Sequence, residues 1–81
     1  MKSLSINVAD IYVPTKRRGL LDPEKAETLA EDIMESGLKI PIQVRRDKER
    51  YVLIEGLHRL EAIKALGETT IEALIVAARR H

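Results

Sequence analysis

The stretch "YVLIEGLHRLEAIKALGE", residues 51–68, changes its hydrophobic period at a single glycine. Before Gly56 it reads as a strand, with Val52 and Ile54 on one side and Tyr51, Leu53 and Glu55 on the other. After Gly56, Leu60, Ile63 and Leu66 recur at helical spacing, with Ala62 at the edge of their stripe. Gly67 then stops the helix. A strand that passes into a helix without a loop favours folds in which helices lie against a sheet. The junction also carries chemistry. A helix N-terminus presents unpaired N–H groups and the positive end of the helix dipole. A glycine in front of it lets backbone approach a ligand closely, so residues 56–59 form a candidate anion cradle.

The rest of the chain supplies the remaining layers. "SLSINV" alternates Leu4, Ile6 and Val8 against Ser5 and Asn7, which predicts a half-buried strand followed by a turn at Ala9-Asp10-Ile11. "PTKRRG" sets three cations between Pro and Gly and predicts a loop. Asp22-Pro23 opens the clearest helix, with an N-cap acid and a proline at the first helical position. Ala26, Leu29, Ala30, Ile33 and Gly37 share one of its faces, while Glu24, Glu27, Glu31 and Glu35 lie outside that stripe. Ile40, Ile42 and Val44 predict a second strand, "RDKER" a hairpin turn, "YVLIE" an interior strand and "TIEALIVAA" a last strand before the basic Arg79-Arg80-His81. The order strand, helix, strand, strand, helix, strand predicts a small α+β sandwich spanning residues 1–81 as one domain.

Composition narrows the chemistry. The chain has no Phe, no Trp and two Tyr among 81 residues, so its core is aliphatic and small, which is compatible with a homodimer. The net charge of +1 speaks against a whole-surface nucleic-acid binder but leaves room for a local basic patch. With no cysteine there is no disulfide, thiolate metal site or cysteine nucleophile, and a reducing cytoplasm is the expected compartment. No signal peptide, lipidation motif or apolar run of about 18 residues is visible, so no membrane association is expected.

Within the candidate cradle, Arg59 could offer a bidentate fork to phosphate oxygens and His58 a hydrogen bond or a charge. On a helical wheel Leu57 and His58 fall off the core stripe, whereas Arg59 falls close to it. Arg59 must therefore turn its head toward the helix end or meet an anion. The alternative is a structural glycine turn, with a surface His58 and an Arg59 paired to Glu55 or Glu61. Glu55 is a candidate general base or magnesium partner. Lys16, Arg17 and Arg18 could reach phosphates, or form an ordinary solvated loop. His58 and His81 alone make no metal site.

Taken in order, "LLDPEKAETLAEDIMESGLKIPIQVRR" and "RYVLIEGLHRLEAIKALGETTIEALIV" resemble the ParB/sulfiredoxin superfamily, from about Ser5 to Val76. The resemblance implies a mixed sheet with helices packed on it and a nucleotide, ATP/ADP or CTP with Mg2+, held by its phosphates. It assigns contacts to Gly56, Leu57, His58 and Arg59. Through the similarity of "LDPEKAETL" to the first sulfiredoxin helix it adds Lys25 and Thr28. Where sulfiredoxins carry a first-loop arginine this chain has Thr15, with Arg17 or Arg18 as substitutes. ParB proteins have a Gly-Glu-Arg-Arg type box, and sulfiredoxins have Gly-Cys-His-Arg; here the box is Gly56-Leu57-His58-Arg59. A leucine cannot act as a nucleophile, so sulfinate repair is not expected.

The superfamily also includes free serine kinases, whose acidic residue before the glycine resembles Glu55 in position. ParB proteins continue into helix-turn-helix and dimerisation domains. Nothing follows His81 here, so sequence-specific DNA binding is expected to come from a partner protein. The leading expectation is a stand-alone nucleotide-binding domain regulating partition or transcription. The alternatives are a phosphotransferase or nucleotide hydrolase using Glu55, and a ligand-free interaction domain with Leu57 as the partner contact.

Overall fold

The computed structural model describes residues 3–77, so Arg79, Arg80 and His81 lie outside the described residues. Strand β1 (Ser3–Asn7) leads through a 3-10 turn (Val8–Asp10) into the two-residue strand β2 (Ile11–Tyr12). Helices α1 (Thr15–Arg18) and α2 (Pro23–Ser36) follow, then the hairpin of β3 (Ile42–Asp47) and β4 (Arg50–Glu55). Helix α3 (Leu57–Ala65) leaves β4 directly, and β5 (Thr70–Ile75) completes the sheet. The strand order is β1-β5-β3-β4-β2. β1/β5 and β3/β4 are antiparallel, and β3/β5 and β2/β4 are parallel. This is a mixed five-stranded α+β sheet, and β4 lies in its interior as its apolar sequence implies.

One face of the sheet carries the helices. Ile6, Ile11, Ile42, Val44, Leu53, Ile71 and Ala73 meet Leu57, Leu60 and Ile63 of α3 in a core with no buried polar side chain. α2 packs alongside α3, with Ala30 buried and Ile33 partly so. Val52 is buried on the opposite face. It is the register partner of Tyr12, whose ring has the Arg50 guanidinium 4.3 Å from its centroid.

Several local expectations need correction. "PTKRRG" is not an irregular loop: the amides of Arg17 and Arg18 donate to the Pro14 carbonyl and close a helical turn. The fixed backbone angle of Pro14 suits it to the position before that turn. Ile40 does not join β3, which begins two residues later, and its side chain is 62% exposed. β5 ends at Ile75 rather than continuing through Val76 and Ala77, and Ala78 lies outside the described residues. Leu57 lies off the Leu60-Ile63 stripe, yet it is only 8% exposed and belongs to the core. Its place directly after the strand tucks it between sheet and helix, an effect that a wheel of the isolated helix does not contain.

Candidate functional site: two helix N-termini around one cavity

Gly56 adopts φ 109°, in the left-handed region where side chains are strained. A Cβ on it would lie 2.6 Å from Cγ2 of Ile42, a fully buried core residue. The glycine is therefore required by packing as well as by any ligand. It also serves as the N-cap of α3 and provides no side-chain cap. The Gly56 carbonyl accepts the first helical bond, from Leu60 N–H at 2.9 Å. The amides of Leu57, His58 and Arg59 thus lie before the helix's own ladder begins.

These residues open on a cavity of about 610 Å³ lined by Arg17, Leu20, Lys25, Thr28, Leu29, Glu55, Gly56, Leu57, His58 and Arg59. The volume is that of a small-ligand site. Among the described residues, three cationic side chains from three helices border it, against one carboxylate. Among the described residues no group of three His, Cys, Asp or Glu could hold a metal ion. Glu55 alone suits a shared or water-mediated contact to Mg2+ that arrives with a ligand, not a dedicated protein site.

The helical turn at α1 separates the two arginines read together from sequence. Arg17 lines the cavity, whereas Arg18 lines a different depression with Ile11, Val13, Leu21, Leu57, Glu61 and Lys64. Successive residues on a helix point about 100° apart, which accounts for the two arginines lining different depressions.

Arg59 is half-buried, and neither expected ion pair is present. Its Nη1 donates to the carbonyls of Ile40 and Pro41 at 3.3 and 3.2 Å, tying α3 to the entry of β3. Glu61 instead pairs with Lys64 at 3.3 Å. The remaining guanidinium donors of Arg59 suit an anion, so the side chain has a structural task and leaves capacity for a second. Thr28 Oγ1 donates to the Glu24 carbonyl at 3.0 Å, which commits its proton and leaves its lone pairs as acceptors. His58 Nε2 accepts from Asp22 N–H at 3.0 Å, which leaves Nδ1 as the ring's donor in the neutral imidazole. The burial of Leu57 also removes it as an exposed contact for a partner protein.

Two lining residues, Leu20 and Leu29, were not singled out by the sequence as site residues. Leu29 sits in the core stripe of α2, where periodicity cannot separate core from cavity. Leu20 follows Gly19 in a connecting segment with no period to interpret, and is 70% exposed at the cavity.

A mixed five-stranded sheet with helices packed on it, and a glycine-led helix N-terminus opening on a cation-bordered cavity, define a small α+β class. The chain belongs to the ParB N-terminal domain family, whose sequence pattern matches residues 2–81. It is 42% identical over 62 residues to a probable chromosome-partitioning protein ParB of Campylobacter jejuni, a match covering 76% of this chain and 22% of that protein. The chain spans about a fifth of the length of the curated relatives it matches.

Solved structures agree on the fold. Sulfiredoxin from Arabidopsis thaliana matches with a TM-score of 0.85 and 29% identity, over 96% of this chain and 88% of that one. The truncated chromosome-partitioning protein ParB of Caulobacter crescentus complexed with CTP-gamma-S gives 0.83 and 23%, over 98% and 46%. A mutant free serine kinase in complex with ADP gives 0.81 and 18%, over 94% and 31%. Among the described residues no helix is long and apolar enough to cross a membrane.

Proposed function

We propose that this chain is a nucleotide-binding module that holds the phosphates of ATP, ADP or CTP at the N-terminus of α3. The observation that carries the reading is the uncapped Leu57–Arg59 turn opening on a cavity bordered by Arg17, Lys25 and Arg59. Backbone N–H groups and the helix dipole favour phosphate there. The guanidinium of Arg59 adds charge-assisted bonds, and Lys25 and Arg17 add charge from the far side. Leu20, Leu29 and Leu57 provide apolar surface for the uncharged part of the ligand. Mg2+ would arrive on the phosphates and neutralise part of their charge. Gly56, required by packing against Ile42, lets the cradle backbone approach the phosphate without a side chain in the way.

Support from relatives is of two kinds. The ParB neighbour is complexed with CTP-gamma-S and the serine kinase neighbour with ADP, so the fold accommodates nucleotides. The curated relative is a chromosome-partitioning protein, so regulation of partition, with DNA contacts supplied by other domains or a partner, is the biological setting we assign. Calorimetric titration with ATP, ADP and CTP in Mg2+ tests the module. Saturable binding tighter than millimolar supports it; its absence for all three nucleotides refutes it.

A second reading is favoured by Glu55, the one carboxylate lining the cavity. In a phosphotransferase or nucleotide hydrolase it would act as base or metal partner. Nucleotide turnover that Glu55→Gln abolishes while binding survives would establish that reading. Binding without turnover would leave the module.

A further inference from the structure

The bond from Asp22 N–H to His58 Nε2, 3.0 Å long, joins the N-cap residue of α2 to the first turn of α3 across 36 residues of sequence. It connects the two elements that border the cavity from opposite sides. Lys25 and Thr28 stand on α2, and the free amides and Arg59 on α3. The bond also defines the ring. An accepting Nε2 carries no proton, so the neutral imidazole holds its proton on Nδ1.

We propose that His58 is a positioning residue, a neutral latch that holds the α2 and α3 N-termini in register around the cavity, and not a cation clamping phosphate through Nε2. The affinity part of this proposal rests on the nucleotide reading of the site. Asp22 has its own local cap, with Oδ1 accepting from Glu24 N–H at 3.0 Å. That cap orders α2 locally, whereas the imidazole adds a polar tie between α2 and α3 beside their packing. Protonation at Nε2 would set one N–H against another and break the latch. The charged residues that line the cavity with His58 are Arg17 of α1, Lys25 of α2, Glu55 of β4 and Arg59 of α3, and Asp22 adjoins the ring through its amide. The two roles therefore predict opposite signs. Acid loosens a site organised by the latch, whereas it tightens a site in which His58 is a phosphate clamp.

The test compares wild type with His58→Gln, His58→Asn and His58→Ala. A glutamine carbonyl reaches the place of Nε2 as an acceptor that does not titrate. An asparagine side chain reaches only as far as Nδ1. Calorimetry with MgATP and MgCTP should show affinity weakened about tenfold in the alanine and asparagine variants, and within about threefold of wild type in the glutamine variant. Acidification should weaken wild-type affinity relative to the glutamine variant, because a proton on Nε2 removes the acceptor for Asp22 N–H. Without nucleotide, 15N spectra at about pH 8 should show Nε2 unprotonated and Nδ1 protonated. The Asp22 amide should then move with pH in wild type only.

A protonated Nε2 in the neutral ring, rescue by asparagine instead of glutamine, or affinity rising toward acid relative to the glutamine variant would each overturn the latch. If no nucleotide binds while the nitrogen and amide signals behave as expected, the binding reading fails and the link between the helices stands.

Discussion

Helices α2 and α3 begin within reach of one cavity, but their first turns are satisfied in opposite ways. α2 is capped by its own residues at one amide: Asp22 Oδ1 accepts from Glu24 N–H, and Pro23, which has no N–H, occupies the first helical position. α3 begins on a glycine with a left-handed backbone and no capping side chain. Substituting an aspartate or serine at Gly56 to cap it would drive a Cβ into Ile42. A self-capped terminus is complete for folding. An uncapped terminus leaves donors that water or a ligand must satisfy. The contrast supports the proposal that α3 is the binding end and α2 the scaffold that brings Lys25 to it.

The contrast can be broken at each of its parts. Gly56→Ala should have the largest effect. Left-handed strain and overpacking against Ile42 together should cost about 4 kcal/mol of folding stability by urea denaturation. A loss below about 1 kcal/mol would show that the close approach to Ile42 is readily relaxed.

Arg59→Ala should remove about 2 to 4 kcal/mol of nucleotide binding, measured by calorimetry. It should also cost about 1 kcal/mol of stability, because the carbonyls of Ile40 and Pro41 lose their donor. Affinity within twofold of wild type would make Arg59 a purely structural clamp.

Asp22→Ala should cost about 1 kcal/mol of stability through the lost cap, with a smaller effect on affinity than Arg59→Ala. The reverse ranking would make α2 the binding end. Smallest, Arg17→Ala should weaken binding by about 0.5 to 1 kcal/mol in low salt, and Arg18→Ala should leave it unchanged, because α1 directs the two side chains to different depressions. Equal effects would remove the geometric distinction between them.

Much of this arrangement was legible in the sequence because it rests on local chemistry. Asp22-Pro23 announced the start of α2, and the change of period at Gly56 announced the sheet-to-helix passage. What was not legible depends on contacts distant in sequence. Only the position of Ile42 shows that Gly56 is required by packing. Leu57 looks peripheral on a wheel because a wheel contains no sheet. The carbonyl partners of Arg59 lie 18 and 19 residues away, and the His58 partner 36 residues away, beyond any periodicity. The turn at Thr15–Arg18 is too short to show a helical period, so the separation of Arg17 from Arg18 is a product of backbone geometry that composition hides.

The central claim concerns which helix terminus receives the phosphate, and amide chemical shifts read that directly. On titration of 15N-labelled protein with Mg2+ and ATP, ADP or CTP, the amides of Leu57, His58 and Arg59 should show the largest shifts, while the self-capped Glu24 amide moves little. Large movement at Glu24 with the Leu57–Arg59 amides unchanged would place the phosphate at α2 and contradict the account.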